Sequence, residues 1–336
     1  MKKRGIGIAV YCHPSGAKGG GDPSQAMMRL KLDGTVDLLV GSVDLGQGSM
    51  TVLRQIAAET VGVPLENITV TNRDTDTGPL CMGTGASRVT FMDGNAVIGA
   101  AEDLKRQIRE WSSERFEVSP DDLEVADNKV FVKDHPQAFM TFAEVGNEMN
   151  WKGSFPVGKG SYCPPAQTFD PQTGRMTLIA AIAYAACVAE VQVDTGTGVV
   201  EVKKLAQAYE IGTALNPLLV KAQIDGGTMQ GLGFALTEDL APNYPSLKFA
   251  PSNFMDYLIP TTADVPEMTS TTVSLASRGE GPFGAKGFAE MCSFPPIAAI
   301  IGAIHDAVGI WIYDYPATPE RVLRALEAAD KASTPA

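Results

Sequence analysis

The chain has 336 residues, a formal net charge of -12, 44% hydrophobic residues and 20% charged residues. This is globular composition with enough apolar material for two domains or one large two-lobed unit, and no cluster of Lys and Arg supports a nucleic-acid groove. A phosphate-bearing ligand must then be held by backbone N–H groups and neutral side chains.

The first half opens with a strand expected over Gly5–Tyr11, followed by a Gly-rich loop from Pro14 to Pro23. Ala26–Leu32 and Val36–Gly41 flank Asp33-Gly34, a hairpin signal. After Gly46-Gln47-Gly48, Thr51–Gly62 reads as a helix with Val52, Leu53, Ile56, Ala57 and Val61 on one face. Ile68–Thr71 is a short strand, Asp74–Ser87 a glycine-bearing loop, and Asn95–Trp111 a helix burying Val97, Ile98, Ala101, Leu104, Ile108 and Trp111. Residues 112–175 read as an irregular surface excursion and lobe boundary.

The second half follows the same plan. Ile182–Val193 and Val199–Tyr209 form a second hairpin, and Asn216-Pro217 opens a helix through Val220, Ile224, Met229 and Leu232. The order hairpin, glycine turn, helix occurs twice, so a structural pseudo-repeat is expected. A loop at Arg278–Gly287 precedes an apolar helix, Pro295–Val308, and a last helix has Thr318 as N-cap and Pro319 at its first position. The tail Lys331–Ala336 is expected to be loose.

Four glycine-bearing loops stand out: Gly46–Gly48, Gly83–Arg88, Gly226-Gly227 with Gln223, and Gly279–Gly287. The first, second and fourth run towards helices, an arrangement that attracts anions without lysine, although each loop could simply turn the chain. Gln47 offers a neutral donor and acceptor to a cofactor heteroatom, or a cap to the next helix. Glu290 has apolar neighbours in Lys286-Gly287-Phe288-Ala289-Glu290-Met291. If buried it would have a raised pKa and could act as a general base; the alternative is a glutamate favoured by a helix N-terminus. Lys286 could pair an anion or lie on the surface. His13, His135 and His305 show no ligand spacing, and His305 is expected to be packed. Met27-Met28 are assigned to the core and the acidic run Glu117–Glu124 to the surface.

Cys12, Cys81, Cys163, Cys187 and Cys292 are odd in number and form no CxxC pair, which supports neither a disulfide framework nor a zinc or iron–sulfur site. No apolar run follows Met-Lys-Lys-Arg as in a signal peptide, and no run reaches ~20 apolar residues. A cytoplasmic protein without a membrane span is expected.

Taken in order, these segments resemble the C-terminal half of the molybdopterin-binding domain of the xanthine oxidase family of molybdenum hydroxylases. The resemblance is carried by Gly46-Gln47-Gly48-Ser49 with Gln55–Glu59 and Gly62-Val63-Pro64, and by Gly83-Thr84-Gly85-Ala86-Ser87-Arg88. It continues through Ala189–Asp194, Thr197-Gly198, Leu215-Asn216-Pro217, Gln223–Gly226, Gln230–Gly233 and Lys286–Glu290. It implies an α+β fold of two similar lobes of mixed or antiparallel sheet with packed helices. Residues 1–175 would be a first molybdopterin-binding lobe, and 176–336 a second carrying the catalytic glutamate.

The resemblance also implies roles. Gln47, Gly48, Gly85, Ala86, Ser87, Arg88, Asn216, Gln223 and Gly287 would bind the cofactor, and Tyr11 and Phe283 would line the substrate pocket. Glu290 would be the base toward a metal-bound water, with hydride passing to a terminal sulfur or selenium. No side chain would ligate molybdenum, which is held through the pterin. A chain matching only that half resembles the medium molybdopterin subunits of selenium-dependent nicotinate dehydrogenases. That likeness implies molybdopterin cytosine dinucleotide, a large molybdopterin subunit, an iron–sulfur subunit with [2Fe-2S] and a FAD subunit. The implied reaction is hydroxylation of a small aromatic N-heterocycle, nicotinate to 6-hydroxynicotinate, with water as oxygen source. The alternatives are a purine or aldehyde substrate, or a non-catalytic cofactor-holding scaffold. Phe288-Ala289 stands where Val-Gly is usual in the family, and is expected to alter packing.

Overall fold

The computed structural model of the chain describes residues 1–17, 21–72, 74–165, 168–242, 246, 248, 250–273 and 281–333. The element order is β1 (Lys2–Ala17), β2 (Ser24–Leu30), β3 (Val36–Val40), α1 (Ser49–Val61), β4 (Ile68–Thr71), α2 (Val89–Phe116), β5 (Leu123–Ala126), β6 (Lys129–Val132) and β7 (His135–Thr141). It continues with α3 (Phe142–Trp151), β8 (Val157–Tyr162), β9 (Thr168–Phe169), β10 (Met176–Thr177), β11 (Ile179–Asp194), β12 (Val200–Glu210), α4 (Pro217–Leu236), β13 (Glu267–Thr272), α5 (Phe294–Val308) and α6 (Pro319–Ser333).

The chain divides into two compact units. The loop unit comprises Pro14–Ile182 and Ser277–Gly287; the glutamate unit comprises Met1–His13, Ala183–Ala276 and Phe288–Ala336. A single cut at 175/176 therefore does not describe the division. The N-terminal strand joins the sheet of β11 and β12, and residues 281–287 return to the loop unit.

Each unit contains the same four-strand arrangement. In the loop unit the hairpin β2/β3 is antiparallel, α1 follows, and β4 returns parallel to β3. In the glutamate unit the hairpin β11/β12 is antiparallel, α4 follows, and β13 returns parallel to β12. The sheet orders β4-β3-β2-β8 and β13-β12-β11-β1 correspond strand for strand. This is the expected pseudo-repeat, and it extends to helix packing. An added Cβ on Gly160 of β8 would sit 2.0 Å from the Ala96 carbonyl oxygen of α2. One on Gly7 of β1 would sit 2.1 Å from the Ala299 carbonyl oxygen of α5. Both edge strands use glycine in a Gly-x-Gly pair (Gly158/Gly160, Gly5/Gly7) so that a helix backbone can lie against the sheet.

The cores follow the predicted stripes. Leu53, Ile56, Ala57 and Val61 of α1 and Val97, Ala101, Leu104 and Ile108 of α2 are buried, as are Met28, Leu30 and Leu38 beneath them. Each such large side chain contributes about 1.5–3 kcal/mol on burial. Ile98 and Trp111 are only half-buried. In the glutamate unit Ala299, Ile300, Ala303 and Ile304 of α5 pack with Ala189, Val191, Leu205 and Leu232. His305 stacks on Trp311 at 4.0 Å between ring centroids.

Two further expectations need correction. Residues 112–175 are not irregular: they hold the end of α2, an antiparallel sheet β5-β6-β7, α3 and β8. Short strands hid this order behind a polar composition, although Thr141 with Glu144 is the capping-box signature of the start of α3. The tail is also more ordered than expected, with α6 continuing through Ser333 and 334–336 outside the described residues. Finally, Ala289–Val308 is long and apolar enough to cross a membrane, but 61% of it is buried within the fold. Its apolar character is that of a core helix packed on a sheet.

Candidate functional site

The first loop, 43–49, leaves β3 and enters α1. Asp44 dominates it: its carboxylate accepts from the backbone N–H groups of Gly46, Gly48 and Met50. Partial burial alone would raise the Asp44 pKa, but these three donors outweigh it and hold the group below its ordinary 3.8. Gln47 folds back, accepting from Leu45 N at 2.6 Å and donating to Val43 O and Ser49 Oγ at 3.2 and 2.9 Å. Gly48 is the left-handed N-cap of α1. The expected anion site at this helix start is thus filled by the chain's own carboxylate, and Gln47 braces the turn. Replacing Asp44 by alanine should cost about 1 kcal/mol at neutral pH, as for the loss of a helix cap. Because the folded pKa is depressed, this stabilisation is present above the ordinary aspartate range and lost as pH falls through the folded value. Denaturant titration of both proteins should show the difference shrinking as pH falls below the ordinary aspartate range; a difference independent of pH would contradict the assignment.

The second loop, 81–88, precedes α2. Thr84 ties it to the first: its Oγ accepts from Val43 N at 2.8 Å and donates to Val43 O at 3.1 Å. Ala86 and Ser87 are consecutive non-glycine residues in the left-handed region, with φ of 50° and 51°. Each costs about 1–3 kcal/mol. Arg88 offsets that strain. Its guanidinium is buried and donates to Asp22, Cys81 Sγ, Gly83 O, Pro23 O and Ser24 Oγ. These contacts use all five donors of the fork. Arg88, expected to hold the cofactor directly, has no donor left for a phosphate; it fixes the loop's shape. Asp93, wholly buried, lies 4.0 Å from Arg88. Burial raises its pKa against the lowering effect of Ser24, Arg88, Ser42 and Cys81.

Gly287 closes on this loop. It is buried, and an added Cβ would meet Ser87 O at 1.9 Å and Ser15 Oγ at 2.6 Å. Ser15 Oγ lies 3.4 Å from Gly287 O as donor. Lys286 is buried rather than on the surface, and its Nζ donates to Ile182 O at 3.0 Å. Phe283 sits at φ 51° in the 3-10 turn Pro282–Gly284 with its ring largely exposed. Gly279 and Arg278 of the fourth loop, and Gly19-Gly20 of the first Gly-rich loop, lie outside the described residues.

In the glutamate unit, Glu290 rides a 3-10 turn, Ala289–Ser293, leading into α5. Its neighbours Met291 and Cys292 are fully buried against Tyr209, Ile211, Val220 and Ile224. Beneath them Gln207 donates to Thr228 at 2.7 Å. Burial pushes the Cys292 thiol up to about 12, so it is an inert part of this support. The turn is therefore rigid, but the Glu290 side chain itself is 48% exposed. The burial on which a raised carboxylate pKa depended is absent from this chain alone. His13 Nε2 lies 3.9 Å from Glu290 Oε2, a neighbour that spacing along the sequence did not reveal.

Asn216 caps α4, its Oδ1 accepting from Leu219 N at 3.1 Å, with Pro217 at the first helical position. Gln223, two turns later on the same helix, is half-buried. Tyr11 stacks on Phe294, with ring centroids 4.9 Å apart, and lines an open cleft of ≈ 500 Å³ with Val10, Tyr184 and Tyr209. Glu290 does not line that cleft. Tyr11 and Phe283 belong to different units.

The molybdopterin cofactor-binding domain family matches residues 1–266. The chain belongs to the xanthine oxidase family of molybdenum hydroxylases. It is 32% identical over 327 residues to a probable hypoxanthine oxidase of Escherichia coli (strain K12), spanning 96% of this chain and 32% of the relative. It is 29% identical over 347 residues to the nicotine 6-hydroxylase large subunit of Paenarthrobacter nicotinovorans, spanning 96% and 40%. Its fold matches the crystal structure of quinoline 2-oxidoreductase from Pseudomonas putida 86 with a TM-score of 0.83 at 27% identity, covering 97% of this chain and 42% of that one. The chain thus spans well under half the length of these relatives.

Several features of this molybdopterin-binding chain fit the family's cofactor. An added Cβ at Gly46, Gly83 or Gly85 would meet nothing within 4 Å. The faces of both loops therefore border open space, where a large ligand can approach the backbone. The left-handed pair Ala86-Ser87 turns backbone groups of the second loop in a way that suits anionic or heteroatom-rich ligands. Among the described residues no group of three His, Cys, Asp or Glu side chains is placed to hold a metal.

Asp44, Thr84, Asp22 and His13 were not singled out from the sequence as site residues. A signal existed for Asp44 alone: an aspartate two residues before a glycine at a helix start forms side-chain-to-backbone turns.

Proposed function

We propose that this chain is a molybdopterin-binding subunit of a molybdenum hydroxylase acting on an electron-poor N-heterocycle, nicotinate first, and that Glu290 is its general base. The observation that carries the reading is the placement of Glu290: a carboxylate held out from a rigid turn whose flanking residues are buried. When bound, the molybdenum–pterin group supplies the centre that accepts the two electrons removed from the ring. The carboxylate of Glu290 takes up the proton released as oxygen from water joins the ring carbon. The backbone of Gly83–Ser87 and the start of the Gly46–Gly48 turn face the pterin, with Gly287 letting the Ser87 carbonyl stay in place. Asn216 and Gln223 serve the pterin phosphate region, in the cytosine dinucleotide form. Gln47 and Arg88 act by shaping loops, and Tyr11 and Phe283 contribute to the substrate environment.

A partner subunit completes the site. The outer face of the glutamate unit's sheet is apolar and exposed on adjacent strands: Ile6 (57%), Ile8 (71%), Val10 (78%) and Tyr184 (50%). Sheets with both faces apolar are covered by other structure. A large molybdopterin subunit is the proposed cover, with iron–sulfur and FAD subunits carrying electrons onward. Enclosure by that subunit would supply the burial that Glu290 lacks here.

The naming of two relatives for positions on nicotine and quinoline supports an N-heterocycle. The likeness to a probable hypoxanthine oxidase supports a purine as the second reading. The native complex is expected to convert nicotinate to 6-hydroxynicotinate with its new oxygen drawn from isotopically labelled water. Turnover of hypoxanthine or xanthine with none of nicotinate would replace the first substrate by the second, and failure with every heterocycle offered would overturn the reading.

A further inference from the structure

His13 ends the part of β1 that lies in the glutamate unit, and it is 6% exposed. Neither ring nitrogen has a hydrogen-bond partner among the described residues. A buried polar atom left in that state costs about 1–3 kcal/mol, which a phenylalanine of similar shape would avoid. The Glu290 carboxylate is the acceptor beside it, with Oε2 3.9 Å from Nε2. That separation exceeds a hydrogen bond, whose upper limit is about 3.2 Å, but a small rotation of one side chain closes it. The imidazole is enclosed, with the Tyr11 ring centroid 6.3 Å away, whereas the Glu290 side chain is half exposed.

We infer that His13 is a positioning residue for Glu290, donating its Nε2–H to one carboxylate oxygen so that the other is aimed to take the proton. The inference rests on the reading of Glu290 as the base. It gives the buried imidazole a partner in the working enzyme, and it explains why a polar ring stands at a position suited to an apolar one. The role is one of orientation: the Nε2–H stays on the ring and is not passed to the carboxylate.

The test compares the holo-complex carrying His13→Phe, His13→Gln or Glu290→Gln with the unsubstituted complex, at equal molybdenum content. His13→Phe is expected to lower kcat about 10–100-fold with KM unchanged, the scale of a misoriented catalytic group. His13→Gln, whose amide can still donate, should recover most of the loss. A second readout is independent of turnover. With this chain alone labelled by 15N-histidine, only three histidines contribute signals. The His13 Nε2–H proton should appear downfield and move upfield in Glu290→Ala. Full turnover in His13→Phe alongside loss in Glu290→Gln overturns this inference alone, as does an Nε2–H signal indifferent to Glu290→Ala. Full turnover in Glu290→Gln overturns the base reading and this inference together.

Discussion

Replacing Gly287 by alanine is expected to destabilise the loop unit by about 1–3 kcal/mol or more, the usual cost of overpacking a filled interior, and to lower the molybdenum content of the purified complex. Conformational freedom is not the issue, because Gly287 does not adopt a left-handed φ. The obstacle is a collision: the new Cβ would stand 1.9 Å from Ser87 O and 2.6 Å from Ser15 Oγ. Ser87 cannot retreat cheaply. It is the second of two left-handed residues in a loop fixed at one end by the Arg88 fork and at the other by Thr84 on Val43. Something must therefore move, and what moves is the backbone of the second glycine loop, the proposed pterin surface. Denaturant unfolding and metal analysis of the variant complex check both parts. Unchanged stability with a full complement of molybdenum would show that the loop is not a rigid cofactor surface.

Much of the architecture was legible because it is written in periodicity. The stripes of α1 and α2, the Asp33-Gly34 hairpin and the Thr318-Pro319 start of α6 each rest on a local rule that tertiary structure left in force. The repeated order of hairpin and helix was also readable, and it proved to extend to a parallel return strand in each unit. What escaped was non-local. The pairing of β1 with β11 draws the first residues into the C-terminal unit, and nothing near Gly5 announces a partner strand that begins only at Ile179. The Gly-x-Gly pairs of β1 and β8 had meaning only once a helix was laid against each of them. The strands of 112–175 were too short and too polar to stand out from loop.

The site shows the same division. Family resemblance pointed to the loops and turns that carry Gln47, Arg88, Asn216, Gly287 and Glu290, but could not assign the use of each donor. The resemblance implies cofactor binding by Arg88, yet its five donors are spent within the chain. The start of α1 reads as an anion site by its glycines, yet Asp44 already occupies it. In both cases the chain meets its own demand: among the described residues, the start of α1 and the one buried guanidinium are satisfied internally.

The central claim is that this chain supplies the proton acceptor, and Glu290→Gln in the holo-complex tests it most directly. The carboxylate is about half exposed on a turn anchored by buried Met291 and Cys292, so the isosteric amide should leave folding within about 0.5 kcal/mol, as for surface substitutions. The amide cannot accept the proton, and removal of a positioned base costs about 10²–10⁴ in rate. The measurement is kcat with nicotinate, normalised to molybdenum, for the substituted and unsubstituted complexes. The account predicts a loss of that size at unchanged molybdenum content and unchanged stability. Turnover equal to that of the unsubstituted complex would contradict it and leave this chain as a holder of the cofactor only.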